Sequence, residues 1–190
     1  MNLLDITKKS RELGIIQKEE ELIAFAGFVT GIRPKNVLEI GSWKGGLFYI
    51  MSQILPHEGV KMSVDLDGYN NFDMKARNER MITWADNVKI LNANSHDQST
   101  YDWVKNNLGN EKLDFLMIDG DHSYEGSKMD YEMYKGFVRE GGWIGFHDIL
   151  ATNFHIRMGC EVYKTWQSIS GEKYEFIIDG EWGGIGVIRV

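Results

Sequence analysis

Short, mostly apolar runs alternate along the chain with longer stretches in which apolar residues return every third or fourth position. The runs are Val37-Leu38-Glu39-Ile40, Lys61-Met62-Ser63-Val64-Asp65, Val88-Lys89-Ile90-Leu91, Leu113 to Ile118 and Trp143-Ile144-Gly145-Phe146. Strands buried on both faces look like this, and parallel sheets are built from them. The intervening stretches predict helices: Ile15 to Thr30, carrying Ile16, Leu22, Ile23, Phe25, Ala26 and Val29; Leu47 to Leu55; Phe72 to Ala85; Tyr101 to Leu108; one with Met129, Met133 and Phe137 on a packing stripe; and Ile156 to Ile169, burying Val162, Trp166 and Ile169. Gly31 and Pro34 are expected to stop the first of these, which should cover one end of the sheet. Tyr174 to Ile178 and Ile185 to Val190 are separated only by Asp179-Gly180-Glu181-Trp182-Gly183-Gly184, so they must pair as a hairpin and one runs antiparallel. The expected architecture is α/β: a doubly wound, seven-stranded sheet, mostly parallel with right-handed crossovers, ending in an antiparallel C-terminal hairpin strand.

The junction after the first run carries the clearest chemistry. Asn36 to Gly46 is an apolar strand that ends in an acid, Glu39, and breaks into a glycine-containing turn before a helix. Such a turn puts free backbone N–H groups and a helix N-terminus at the carboxyl edge of the sheet, where glycines let a ligand come close. The spacing is Glu39-x-Gly41-x-x-x-Gly45, with Ser42, Trp43 and Lys44 filling the gap, and so differs from the dinucleotide fingerprint G-x-G-x-x-G. An acid about 20 residues past such a turn accepts hydrogen bonds from ribose hydroxyls. Asp65 stands there, with Asp67 as the competing candidate.

The other strands also end in polar groups: Asp119 after the fourth, His147 and Asp148 after the fifth. Ligands of open α/β sheets bind outside these strand ends. Carboxylates brought together there repel unless a cation lies between them, and a divalent metal is the usual solution. An oxygen-rich donor set suggests magnesium, while inclusion of His147 shifts the preference toward manganese, iron or zinc.

The segment around Glu39, Gly41 and Gly45 resembles motif I of class I S-adenosylmethionine-dependent methyltransferases, a Rossmann-like fold. Asp119-Gly120-Asp121-His122-Ser123-Tyr124-Glu125-Gly126 and Gly141-Gly142-Trp143-Ile144-Gly145-Phe146-His147-Asp148 resemble the paired motifs of the methyltransferase-24 group and its relatives among metal-dependent small-molecule O-methyltransferases, of the catechol, macrolide-sugar and cephalosporin-biosynthesis types. The resemblance implies S-adenosyl-L-methionine bound by Glu39, Gly41, Ser42, Gly45, Asp65, Asp119 and an adenine loop at Asn94 and Ser95. It implies a divalent metal, magnesium or manganese, at Asp119, His147 and Asp148. His147 falls where the catechol type has an acidic ligand, so a position behind Asp148 is the alternative. His122 falls where that type has its catalytic lysine, which makes it the candidate base beside Asp119. Methyl transfer from a sulfonium to a hydroxyl needs a proton acceptor, and histidine is suited to that near pH 7.

Plainer roles exist for several of these residues. Asn94 and Ser95 equally suit a loop capping the next helix, and Asp121 and Ser123 suit the cap of a helix near Tyr124. His57, His96 and His155 read as isolated surface residues, the Glu19-Glu20-Glu21 run as a solvated helix face, and Cys160 as a small core or helix residue.

Composition narrows the partners. A formal charge of −7 over 190 residues, without long runs, leaves no electrostatic footprint for nucleic acid or anionic lipid. The lone Cys160 excludes an intrachain disulfide, and no run approaches the ~20 apolar residues of a membrane span. The expectation is a soluble, cytoplasmic, single-domain protein, with residues 1–34 a helical extension and residues 35–190 the core. The resemblance points to a small hydroxylated acceptor such as a sugar, and a homodimer is compatible with it. Acceptor recognition is assigned to loops such as Asp67 to Phe72 and Ile149 to Gly159. The rivals are a non-catalytic cofactor-binding module, a hydroxylase-like reaction on the same scaffold, and a nicotinamide-dependent oxidoreductase, which the Gly41–Gly45 spacing and the hairpin disfavour.

Overall fold

The computed structural model describes residues 2–55, 57–66 and 72–190. Among these, one sheet contains β1 (Val37–Ile40), β2 (Lys61–Asp65), β3 (Val88–Asn92), β4 (Leu113–Ile118), β5 (Val138–His147), β6 (Lys173–Phe176) and β7 (Ile185–Arg189), in the spatial order β3-β2-β1-β4-β5-β7-β6. β1 to β5 are parallel, and β7 runs antiparallel to both β5 and β6. The expected doubly wound sheet with an antiparallel hairpin strand is the observed one. Its order reverses between β1 and β4, which pair directly in the register Ile40↔Ile118. A crevice at the carboxyl edge of those two strands is where such a sheet receives a ligand.

Alternation along each strand divides the apolar side chains between two layers. Val37, Phe115, Met117, Ile185 and Val187 pack under α1 (Leu3–Glu12), α2 (Glu19–Ile32) and α3 (Gly46–Ile54). Leu38, Ile40, Leu116, Ile118, Ile144 and Phe146 pack under α5 (Gln98–Leu108), α6 (Tyr124–Tyr134) and α8 (Val162–Ser168). Aromatic edges add to the first layer, where Phe25 meets Phe115 at 5.8 Å and Phe28 meets Trp143 at 5.0 Å. The short α4 (Met74–Met81) and α7 (Asn153–Met158) flank the carboxyl edge. Among the described residues, no helix is long and apolar enough to cross a membrane.

Several elements depart from the sequence expectation, each for a local reason. α1 has too few apolar residues to show a stripe; only Ile6, Thr7 and Ser10 are buried in it, and Ser10 Oγ donates to Gly46 O at 2.8 Å. α2 starts at Glu19 rather than near Ile15, leaves Ile16 exposed, and runs through Gly31. It ends where Arg33 turns left-handed, φ 47°, before Pro34, and it covers a face of the sheet rather than an end. The helix expected over Phe72 to Ala85 is confined to α4. The stretch Ile156 to Ile169 is two helices, α7 and α8, because Gly159 at φ 71° ends the first. In α6 Met129 is exposed, and the buried positions are Gly126, Ser127, Asp130 and Tyr134. β5 begins at Val138 and bulges through Glu140 to Gly142, since its partners on β4 jump from Leu113↔Val138 to Phe115↔Trp143.

Candidate functional site

The glycine turn is shaped by contacts with its neighbours. Gly41 has φ 83°, and a Cβ there would lie 2.0 Å from the Asp119 carbonyl oxygen, so the loops after β1 and β4 touch backbone to backbone. Gly45, φ 86°, opens α3 as its N-cap and abuts Met81 and Trp84, so its glycine answers to packing against the end of α4. Between them Ser42 is buried, accepts from Ser63 Oγ at 2.8 Å and donates to Asp65 Oδ2 at 3.3 Å.

Asp65 ends β2 with its side chain 11% exposed, and its partner is a residue the sequence reading passed over. Arg77, on α4 and 1% exposed, donates to Asp65 Oδ2 at 2.6 Å, to the Trp43 carbonyl at 2.6 Å, to Ser42 Oγ at 3.3 Å and to Asn92 Oδ1 at 3.2 Å. One guanidinium thus ties the glycine turn, the ends of β2 and β3, and α4 together. Asp67 lies outside the described residues.

Glu39 is buried on β1 with Oε2 unpartnered. Its carboxyl is raised well above the ordinary range, first by burial and then by the charges of Asp119 and Asp65. Among the described residues no group pairs with that buried carboxyl oxygen near the carboxyl end of β1, and a buried polar atom in this state calls for a donor.

Asp119, His147 and Asp148 are brought together, with donor atoms within 4.8 Å of one another. His147 Nδ1 stands 3.3 Å from Asp119 Oδ1 and 3.3 Å from Asp148 Oδ1, while its Nε2 is buried and unpartnered. The first residue after β5, Asp148, has φ 60°, a left-handed conformation that costs a non-glycine residue roughly 1–2 kcal/mol. His122 lies between the carboxylates, Nε2 at 3.4 Å from Asp119 and Nδ1 at 3.4 Å from Asp148. Its side chain is 44% exposed, so an acceptor can reach it.

These charges set one another's protonation. Burial pushes Asp119 up, but His147 and His122 hold it below the usual carboxylate range. Burial also raises Asp148, but the charge and hydrogen bond of His147 together with the charge of His122 outweigh it and hold that carboxyl well below its ordinary value. His122 is raised to about 11, first by its hydrogen bond with Asp119 and then by that with Cys160. His147 is lowered by burial and raised more by Asp119 and Asp148, reaching about 10.

Three further residues complete this cluster. His155 is buried, not a surface residue: its Nδ1 donates to Leu150 O at 2.5 Å, it accepts from Gly183 N–H at 3.1 Å, and its Nε2 lies 3.2 Å from Asp148 Oδ1. Gln17 Nε2 donates to Asp119 Oδ2 at 3.2 Å. Glu21, rather than facing solvent, is buried, accepts from Gly184 N–H at 2.9 Å and is raised by burial.

The remaining expected residues sit nearby with local duties. Asn94 Oδ1 accepts from His96 N–H at 3.0 Å and the Ser95 carbonyl accepts from Tyr134 OH at 2.6 Å, so both belong to a loop held from below at the end of β3. Ser123 caps α6, accepting from Gly126 N–H at 3.0 Å, and Asp121 Oδ1 accepts from Ser123 N–H at 2.8 Å. His96 is no isolated surface residue: its Nε2 stands 3.3 Å from the fully buried Asp130, and that carboxylate raises it. His57 is exposed, as expected.

A family model described as a methyltransferase domain matches residues 38–149. An uncharacterized protein of Acanthamoeba polyphaga mimivirus is 26% identical over 141 residues, 72% of this chain and 62% of that protein, so the chain spans less than two thirds of the length of this relative. An O-methyltransferase from Bacillus cereus, solved in complex with SAH, superposes with a TM-score of 0.66 at 15% identity, covering 99% of this chain and 90% of that one. An O-methyltransferase from Streptomyces achromogenes involved in tomaymycin synthesis, solved in complex with SAM, gives a TM-score of 0.65 at 12% identity, covering 100% and 90%.

Proposed function

The chain belongs to the methyltransferase domain family, and from that premise we propose that it is an S-adenosylmethionine-dependent O-methyltransferase acting with a divalent cation on a small hydroxylated acceptor such as a sugar. Asp119 carries the reading. Its backbone carbonyl abuts Gly41 in the turn expected to cradle the cofactor, and its carboxylate belongs to the Asp119, His147 and Asp148 donor set. Methyl donor and activated hydroxyl must meet in line, and a residue shared by both halves fixes their separation.

Two carboxylates and an imidazole with converging donor atoms suit a divalent cation. Held by Asp119, His147 and Asp148, such a cation would supply charge that offsets the two carboxylates and would make a nearby acceptor hydroxyl easier to deprotonate. The residues themselves divide the other tasks. Asp65, held by Arg77, offers its carboxylate to ribose hydroxyls; Glu39 offers its unpartnered Oε2 to the methionine end of the cofactor. His122, raised to about 11 first by its hydrogen bond with Asp119 and then by that with Cys160, keeps its proton at neutral pH beside the negative charge of Asp119 and Asp148. A cation held by Asp119, His147 and Asp148 would offset that negative charge, and the His122 imidazole would be the group placed to take the proton of the acceptor hydroxyl. Phe154, Ile156 and Met158 on α7 are exposed in the loop region expected to recognise the acceptor, and they support an acceptor with an apolar face there.

Titration calorimetry with S-adenosylmethionine, repeated with magnesium, manganese and chelator, tests this reading. Cofactor binding together with a metal isotherm lost in Asp119→Ala and Asp148→Ala is the expected result. Cofactor binding without any metal effect leaves a binding module and removes the metal mechanism, and absence of cofactor binding overturns the proposal.

A further inference from the structure

A second donor set shares only Asp148 with the first. His122, Asp148 and Cys160 place a ring nitrogen, a carboxylate oxygen and a sulfur within 4.8 Å of one another. They come from three places in the fold: the loop after β4, the end of β5, and the break between α7 and α8. That break is fastened on both sides of the thiol, since Glu161 N–H donates to the His122 carbonyl at 2.7 Å and Cys160 N–H to the His155 carbonyl at 2.9 Å. The interruption of an otherwise helical stretch therefore delivers Cys160 to His122.

Asp148 presents different oxygens to the two sets. Its Oδ1 faces His147 Nδ1 at 3.3 Å, and its Oδ2 faces His122 Nδ1 at 3.4 Å. In a tetrahedral site with metal–ligand bonds of about 2.0–2.1 Å, neighbouring nitrogen and oxygen donors lie roughly 3.3 Å apart. The His122–Asp148 pair already spans such an edge.

We propose that His122, Asp148 and Cys160 form a second cation subsite, selective for a borderline-soft ion such as zinc, with Asp148 bridging it to the Asp119–His147–Asp148 set. Sulfur decides the selectivity, because thiolate ligands favour zinc and its neighbours while magnesium takes oxygen. Three protein ligands leave a fourth position open. The exposed side of His122 places that position toward solvent, whereas Cys160 is only 4% exposed. An ion held there engages the ring assigned as proton acceptor, so zinc opposes methyl transfer where magnesium supports it. That consequence rests on the proposed function; the subsite itself does not.

Cobalt(II) replaces zinc in such sites and reports sulfur ligation by a charge-transfer band. Cys160 is the only cysteine in the chain, so a thiolate band has one source. Titrating the reduced full-length protein with cobalt alone should produce the band, and zinc should displace it where a large excess of magnesium does not. Cys160→Ser and the more exposed His122→Ala should each abolish it, with zinc affinity falling at least about tenfold, since loss of even the groups that support metal ligands costs 10–100-fold. Asp119→Ala should keep the band. No band in the wild type, or a band that survives Cys160→Ser, overturns the subsite. A band in a protein that neither binds S-adenosylmethionine nor methylates overturns the proposed function alone, and magnesium-dependent turnover without a band overturns the subsite alone.

Discussion

Replacing Arg77 by methionine keeps much of the buried stem and removes the guanidinium. The side chain is 1% exposed, and it is the cation beside Asp65, whose own side chain is 11% exposed. Without it Asp65 retains, among the described residues, only the Ser42 hydroxyl at 3.3 Å, and the Trp43 carbonyl loses a 2.6 Å donor. At an effective dielectric of about 20, opposite unit charges about 4 Å apart attract by about 4 kcal/mol. Experience with buried pairs agrees, with about 3–5 kcal/mol lost when one partner is removed and the other stays charged. A protein of this kind has roughly 5–15 kcal/mol in all, so Arg77→Met should still fold at low temperature but with a large loss. Urea denaturation with a two-state fit gives the number, and S-adenosylmethionine affinity measured on the same samples should fall as Asp65, the carboxylate proposed to meet the ribose, loses its fixed position. Arg77→Met combined with Asp65→Asn should lose clearly less than the sum of the single variants, because the unpaired charge is gone. A single-variant cost under about 1 kcal/mol, or strict additivity of the pair, would refute the account of Arg77 as the tie between Asp65 and the glycine turn.

Gly41→Ala puts a methyl 2.0 Å from the Asp119 carbonyl at φ 83°; left-handed strain alone costs about 1–2 kcal/mol, so thermal melting should show a drop of at least about 2 °C, together with weaker cofactor binding. In chelator, His122 and His147 have folded pKa values of about 11 and about 10, above the ordinary 6.5. Their contribution to stability is complete below about pH 6.5 and disappears as pH rises toward those values; urea melts between about pH 6 and 10 should show this decline, and His147→Asn should flatten it. Glu39 is raised, so it binds more protons folded than unfolded and loses its favourable contribution as pH climbs above the ordinary glutamate value. Glu39→Gln should therefore melt higher than wild type at pH 8 while binding S-adenosylmethionine more weakly; equal melting would show that the acid is already satisfied.

Strands β1, β2, β4 and the end of β5 were legible because a strand buried on both faces shows as a short, near-continuous apolar run, and Glu39, Asp65, Asp119 and Asp148 stood out as acids in or just after such runs. What stayed hidden was set by tertiary contacts: α1 owes its place to α3, and Cys160 owes its neighbour His122 to a backbone bond across the fold. Yet several missed residues had left a signal. Glu21 lies one helical turn before Phe25, in phase with Val29, and is buried with them. Arg77 lies between Met74 and Met81 on the buried side of α4, and Asp130 precedes the buried Tyr134 by one turn. A charge in phase with an apolar stripe must either turn outward or find a partner inside, because a bare buried charge is too costly to keep. Here each remained buried. Arg77 met Asp65, Asp130 met His96, and Glu21 accepts from Gly184 beside His147 and Asp148. Helical phase therefore carries information about the site as well as about the core: where it demands an apolar residue and finds a charge, the partner of that charge is the next residue to look for.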